Sequence, residues 1–541
     1  MKLNLETILK NPEFFTNVNV ALPRFDVIQM RKLTADQPEW VHFGAGNIFR
    51  GFIGSIAQKL LDEGYSKTGI IACETFDYDI IDKIYNPFDN LTLNVLMNAD
   101  GTTSRQILSS IAEAVKADFS SEKSFIRLKE VFTSPTLKMV SFTITEKGYQ
   151  LKRTDGTLLP VVESDMNEGP HKARHAMSIV ASLLLERFNS GAYPIAVVSM
   201  DNCSHNGEKL KSAVVTIAKA WLEKGLVTDD FVNYISDESR VSFPWTMIDK
   251  ITPRPHPAVR ESLEKDGFED MEGVVTSKST FIAPFVNAER PEYLVIEDSF
   301  PNGRPKLEKA GVYLTDRETV NKTERMKVTT CLNPLHTAMS VYGCLLGYTL
   351  ICKEMEDDDI VRLVRRLGYV EGLPVVTDPE ILSPKAFIDE VVNERLPNKF
   401  MPDDPRRIAT DTSQKVGIRF GETIKSYISL GKDLNDLVSI PLALAGWMRY
   451  LLAVNDMGEA IEVSPDPLKE EMQSKLKGII WNDPTSYSGQ LKGIFSNASV
   501  FGLDLTSTVL FEKIEKYFLE LLKGPGAVRK LLKSQLEDKK I

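Results

Sequence analysis

A short apolar strand that runs into glycines and out into a helix constrains this chain more than any other feature. "EWVHFGAG" reads as that strand, ending at Gly44 and Gly46. "NIFRGFIGSIAQKLLDEG" follows as an amphipathic helix, with Phe49, Ile53, Ile56 and Leu60 on one face and Gly64 as its stop. "TGIIACET" is then a second, wholly apolar strand. Strand, glycine turn, helix and strand in this order open a doubly wound sheet, because parallel neighbours need a crossover long enough to hold a helix.

More strand-like runs follow in "LTLNVLM", "MVSFTITEKG" and "AYPIAVVSMDN", with the helical "KARHAMSIVASLLLERF" between the last two. They extend a parallel or mostly parallel sheet to about residue 300. Near residue 320 the texture changes, and patterns such as "LHTAMSVYGCLLGY", "DDDIVRLVRRLGYV" and "LVSIPLALAGWMRYLLAV" are helical. A chain of 541 residues fits two domains. The expectation is an α/β N-terminal domain over residues 1–318 and an all-α C-terminal domain over residues 319–541.

The formal net charge of -10 argues against nucleic acid or an anionic membrane surface as partner, while leaving an anionic small molecule open. Cys73, Cys203, Cys331, Cys344 and Cys352 are scattered among mostly apolar neighbours, as free buried thiols of a reducing compartment would be. The opening "MKLNLETILK" has no apolar h-region, and no window approaches the roughly 20 apolar residues of a membrane span. A cytoplasmic protein is expected.

The glycine turn has a chemical reading. A dinucleotide site needs one glycine for the tight turn and another so that backbone N–H groups reach the pyrophosphate. Gly44 and Gly46 meet both needs; the third fingerprint position is Phe49, so the helix should stand off the strand. Gly-rich turns also arise for packing alone, but the flanking apolar strands favour a cofactor. Glu74 ends the second strand, with Asp77 close behind. A carboxylate there binds the adenosine ribose and repels a 2′-phosphate, which favours NAD over NADP. Asn47, Ile48 and Thr145 complete the candidate cofactor-binding set.

The segment "NKTERMKVTTCLNPLHTAMS" is the most chemically loaded. Glu324 and Lys327 are spaced to share a helix face, the arrangement of a simple surface ion pair as well as of an acid/base. Asn333 reads as an N-cap with Pro334 at the first helical position, and His336 falls in the first turn. On one unbroken helix Lys327 and His336 would point oppositely, but Pro334 forbids that helix. Lys327 can meet Asn333 and His336 only across a bend. A zinc site is the rival: His171 and His175 are spaced as i and i+4 on a helix, but no cysteine spacing completes such a site.

"HFGAGNIFRGF", "SFTITEKGY", "VVSMDNCSHNGEKL", "FPWTMIDKITP" and "EDSFPNGRP", followed by Lys327, Asn333 and His336, resemble the polyol-specific long-chain dehydrogenases, the mannitol dehydrogenase family, from about residue 38 to at least residue 420. The resemblance implies a Rossmann-type domain followed by an α-helical domain, an NAD-dependent reduction of a keto group on an open-chain sugar acid or polyol, and no metal. Family members are often monomeric, so a monomer is expected. By the same resemblance Lys327 is the acid/base with Glu324 before it. Asn202 and Asn333 hold the substrate oxygen, His336 orients the substrate, Asp249 lines the site, and Arg395 binds substrate. Burial beside the cofactor would lower the lysine's pKa and Glu324 would raise it or relay the proton. Two departures stand out: "KVTTCLN" is one residue longer than the family spacing, and "RLPN" replaces "RFSN". The stretch "VTTCLNPLHTAMSVYGCLLGY" is closer to the hexuronate-acting members, and Arg304, Lys327 and Arg395 could face a substrate carboxylate. D-Fructuronate reduced to D-mannonate is therefore expected ahead of fructose, tagaturonate or a polyol phosphate; a catalytically silent sugar or nucleotide sensor would have no need of the lysine–asparagine–histidine set.

Overall fold

The computed structural model describes residues 1–537. It divides into two compact units, the first covering Met1–Asn98 and Thr102–Asn321, the second Ala99–Gly101 and the chain from Lys322 onward. The first unit is α/β. Its main sheet holds β1 (Trp40–Phe43), β2 (Ile70–Glu74), β3 (Ile111–Lys116), β4 (Met139–Phe142), β5 (Ile195–Ser199) and β6 (Val241–Ser242). Every neighbouring pair is parallel, and the spatial order is 3-2-1-4-5-6. That is the order of dinucleotide-binding sheets, with the reversal point between β1 and β4.

The strands read as continuous apolar runs because both faces are covered. Along β1, Val41 and Phe43 join one core cluster and Trp40 the other. The helix face expected after the glycine turn is buried throughout, at Phe49, Ile53, Ile56 and Leu60. Its first turn is a π-turn, Phe49–Ile53, before regular helix over Gly54–Asp62. The Phe49 ring fills the space between helix and sheet by stacking on His42 of β1, centroids 4.2 Å apart.

Two expectations about this unit are corrected. "LTLNVLM" is a strand, Thr92–Met97, but it lies outside the parallel sheet. It pairs antiparallel with Thr103–Leu108 and parallel with Phe285–Glu289. The connection through Asp100 and Gly101 is hairpin-short, so no crossover helix can form there. His171 and His175 do not share a helix: one lies in the 3₁₀ turn Pro170–Lys172, and the other caps Ala176–Asn189 from outside, its Nδ1 accepting from the Met177 N–H.

Beyond Lys322 no strand occurs among the described residues, and the longest helices are Asn333–Leu346, Ser439–Tyr450 and Val509–Leu521. The N-terminus of Ser439–Tyr450 is closed by the buried Glu371, whose carboxylate accepts from the N–H groups of Val438, Ser439 and Ile440 at 2.6–3.0 Å. Cys73, Cys331, Cys344 and Cys352 are buried free thiols; Cys203 is only half-buried. Among the described residues no helix is long and apolar enough to cross a membrane.

Candidate functional site

At the reversal point of the sheet the loops after β1 and β4 part and leave a cavity of about 610 Å³, lined among others by Gly44, Gly46, Glu74, Phe76, Asp77, Thr145 and Lys147. Gly44 has φ +98°, and a Cβ there would lie 2.1 Å from the Thr143 carbonyl oxygen, so only glycine fits. Gly46 meets nothing within 4 Å, which leaves its backbone open to the cavity. The Arg50 N–H returns to the Gly46 carbonyl at 3.1 Å, so the helix starts at Gly46 and its first N–H groups have no intrahelical acceptor. Such a terminus attracts a phosphate.

Asn47 and Ile48 contribute backbone there, and their side chains turn elsewhere. Asn47 Oδ1 accepts from the Arg50 guanidinium at 2.8 Å, and Ile48 packs on the hydrophobic core. Glu74 is at the end of β2, as expected, but its carboxylate faces inward. One oxygen accepts from the Ala45 N–H at 2.9 Å; the other accepts from Thr75, Phe76 and Asp77 at 2.9–3.2 Å. Burial pushes this carboxyl up, against the pull of those four hydrogen bonds. Asp77 is oriented differently. One oxygen accepts from the Thr276 hydroxyl, while the other, Oδ1, is buried without a hydrogen bond. Of the two acids, Asp77 is the one with acceptor capacity to spare.

The loop after β4 is held by Asp201. Its carboxylate accepts from Ile144 N–H at 2.9 Å, Thr145 N–H at 2.8 Å and the Tyr149 hydroxyl. These bonds keep Thr145 at φ 67°, ψ 160°, a strained conformation for a β-branched residue at the cavity wall. Burial pushes the Asp201 carboxyl up and the Tyr149 hydroxyl up with it. Asn202, the next residue, is exposed beyond the carboxyl end of β5. The second asparagine of "DNCSHNG", Asn206, is buried and structural: its amide donates to Asp201 O at 3.0 Å and to Thr246 Oγ1 at 2.8 Å. It thereby ties this turn to the strand Thr246–Asp249, which ends at the buried Asp249.

In the second unit Lys327 is 2% exposed and opens a π-turn, Lys327–Cys331, closed by Leu332 N–H to Lys327 O at 3.1 Å. A π-turn holds one residue more than an α-turn. The turn falls within "KVTTCLN" and gives room there for one extra residue. The path then breaks at Leu332, φ -130°, ψ -62°, and helix resumes over Asn333–Leu346 with His336 in its first turn. The cap lies one residue earlier than expected: Leu332 stands at the N-cap with no side-chain hydrogen bond, and Asn333 is already helical, because Pro334 tolerates either of the first two helical positions. Lys327, Asn333 and His336 thus flank a bend. Glu324 precedes them on Arg317–Met326, half-buried. Arg395 ends a further π-turn, Val391–Arg395, and is buried. The helix leading into that turn, Pro384–Glu390, touches the lysine's turn, with Cys331 Sγ 3.7 Å from Pro384 O. Arg304 is not part of any such set: Asp298 and Glu308 hold it at 2.8 and 2.7 Å on the first unit.

Sequence reasoning missed several cavity residues. Lys147, in "SFTITEKGY", is an exposed cation on the cavity rim. Phe76 lies between Glu74 and Asp77, exposed, with the Lys278 ammonium 5.0 Å from its ring centroid. Position after a strand end was the available signal for both.

Comparison with known proteins agrees with this architecture. Residues 38–309 match the mannitol dehydrogenase Rossmann domain, and residues 319–522 match the mannitol dehydrogenase C-terminal domain. D-mannonate oxidoreductase of Thermotoga maritima is 52% identical over 98% of each chain. Mannitol 2-dehydrogenase of Pyrenophora tritici-repentis is 30% identical over 90% of this chain and 80% of its own. The solved ternary complex of Pseudomonas fluorescens mannitol 2-dehydrogenase with NAD and D-mannitol aligns over 100% of both chains, with a TM-score of 0.70 at 24% identity, a likeness of fold.

Proposed function

The chain belongs to the mannitol dehydrogenase family, and on that premise we propose that it catalyses the reversible, NAD-dependent reduction of D-fructuronate to D-mannonate. The observation that carries this reading is the 52% identity, over 98% of both chains, with the Thermotoga maritima D-mannonate oxidoreductase.

The cradle suits a dinucleotide. Gly46 leaves the helix N-terminus open, Lys147 brings a positive charge to the cavity, and Asp77 Oδ1 is a buried acceptor without a donor. NADH, when bound, supplies the hydride. The residues do the rest. Negative charge develops on the keto oxygen as it is reduced, and preorganised donors stabilise it. In our reading the Asn202 and Asn333 amides are those donors, and Lys327 Nζ gives the oxygen its proton, or takes it in the reverse direction. Glu324 returns a proton to Lys327, His336 orients the sugar chain, and Asp249 and Arg395 bind its remaining polar groups. Lys327 is 2% exposed, and its shielding from bulk water supports the assignment.

Initial rates of NADH oxidation with D-fructuronate, D-tagaturonate, D-fructose and fructose 6-phosphate test the reading. D-Fructuronate should show the highest kcat/KM. A value for fructose equal to or above it overturns the substrate while leaving the family standing.

A further inference from the structure

Resting on the hexuronate reading, we propose that Arg419 binds the substrate carboxylate and so sets sugar-acid over neutral-sugar specificity. Arg419 lies on the π-turn Gly417–Gly421 of the second unit. Its Nη1 donates to Thr337 Oγ1 at 2.5 Å, and Thr337 in turn donates to the Asn333 carbonyl at 3.0 Å. The guanidinium is thereby fixed against the first turn of the helix that carries Asn333 and His336. The same turn is tied to the lysine's: Thr423 Oγ1, just past it, donates to Thr329 O at 3.2 Å.

Among the described residues Arg419 lacks a counter-charge, and unlike the buried Arg449, whose guanidinium is held by the backbone carbonyls of Leu521, Val454 and Asn455, it has no carbonyl cage in its place. Arg325, Arg366 and Arg529 of the same unit are held by Glu422, Glu371 and Asp357. Among the described residues no carboxylate pairs with Arg419, and a charged neighbour is another cation, Lys415. Burial draws the Arg419 guanidinium down to about 10, with nothing opposing it. The N-terminal turn of a helix is also the wrong end for a cation, since the macrodipole is positive there. Three unfavourable circumstances meet at one side chain: desolvation, a like charge and a repelling helix end. A planar carboxylate accepting two parallel N–H bonds relieves all three, and guanidinium is the side-chain group shaped for that contact. A neutral ketose offers no such group at either end of its chain.

The test is the ratio of kcat/KM for D-fructuronate to that for D-fructose, measured on wild type, Arg419→Met and Arg419→Lys. The ratio should fall by roughly 10–100-fold in Arg419→Met, as expected for removing a charge-assisted contact, with Arg419→Lys intermediate. If both substrates lose activity in equal proportion, Arg419 only props the helix turn, and the proposal is wrong although the hexuronate reading stands. If wild type prefers fructose, the hexuronate reading falls, and calorimetry with D-mannonate and D-mannitol decides for Arg419. Selective weakening of D-mannonate in Arg419→Met upholds it; equal weakening of both, or none, overturns it. Melting temperature and NADH binding identify a misfolded variant, for which Arg419→Lys serves instead.

Discussion

Glu354 is a carboxyl group placed where a charge is costly. It is fully buried, neither side-chain oxygen has a hydrogen bond, and it lies against Gly343 so closely that a Cβ there would be 2.1 Å from Oε1. Burial pushes its pKa well up, and the negative charges of Asp357 and Asp404 push the same way. The sign follows directly. In the unfolded chain Glu354 ionises at the ordinary glutamate value; in the native protein it holds its proton to a higher pH. Stability from this group is therefore complete below the ordinary value and is lost as pH rises toward the raised native one. Each pH unit inside that window costs about 1.4 kcal/mol. Glu354→Gln keeps the shape and removes the titration. Glu74, Asp201 and Glu371 are also raised by burial, but they titrate in both proteins and cancel in the difference. Thermal melts of wild type and variant at pH 5.5, 6.5 and 7.5 should show the variant gaining on wild type as pH rises, by about 3–5 °C per pH unit inside the window, taking 2–4 °C per kcal/mol for a unit of this size. The magnitude at any one pH is not diagnostic, since the glutamine amide is buried too. A difference that stays constant or shrinks with rising pH would refute the reasoning.

Three further outcomes are expected. Lys327→Ala should lose about 10²–10⁴-fold in kcat while NADH affinity, read by fluorescence titration, changes less than about threefold; retention of a tenth of wild-type turnover would remove Lys327 from its role. NADH should give a higher kcat/KM than NADPH, because Asp77, whose Oδ1 keeps a free acceptor, lines the cavity wall, and equal use of the two cofactors would contradict this. Asp201→Asn puts an amide where two backbone N–H groups need acceptors, so it should cost about 1–3 kcal/mol in urea unfolding and raise the KM for NADH; a normal KM would show that the Thr143–Gly148 loop does not need this anchor.

The parts of the fold that sequence conveyed were those in which chemistry leaves one choice. Apolar runs on both sides of Gly44 mean strands covered on two faces, and the +98° φ at Gly44 admits no other residue. "LTLNVLM" was recognisable as a strand, but its partner was not, because periodicity records which face is buried and says nothing about the neighbouring strand. β3, Ile111–Lys116, escaped notice for a related reason: it is an edge strand, and Glu113 and Lys116 interrupt its apolar run.

At the site, residue type was legible and orientation was not. Glu74 stood where a ribose ligand stands, yet four backbone N–H groups had claimed its oxygens, and Asp77 kept the free acceptor instead. Position along a strand is a one-dimensional property; the direction of a carboxylate depends on which N–H groups a turn leaves unpaired. The unpaired state of Arg419 is harder still to foresee, since it is a statement about every acid that does not come near. Lys327 shows the opposite case. Its surplus residue could be read by setting "KVTTCLN" against the family spacing, as a mismatch with two explanations, a bulge or a displaced lysine. A π-turn stands there, and it widens the helix by one residue where the lysine sits. π-Turns also end at Arg395 and enclose Arg419. A wider turn is less well hydrogen-bonded than an α-turn, so at these positions, as at Phe49–Ile53 with its buried Arg50, regularity is spent on where a cationic side chain stands.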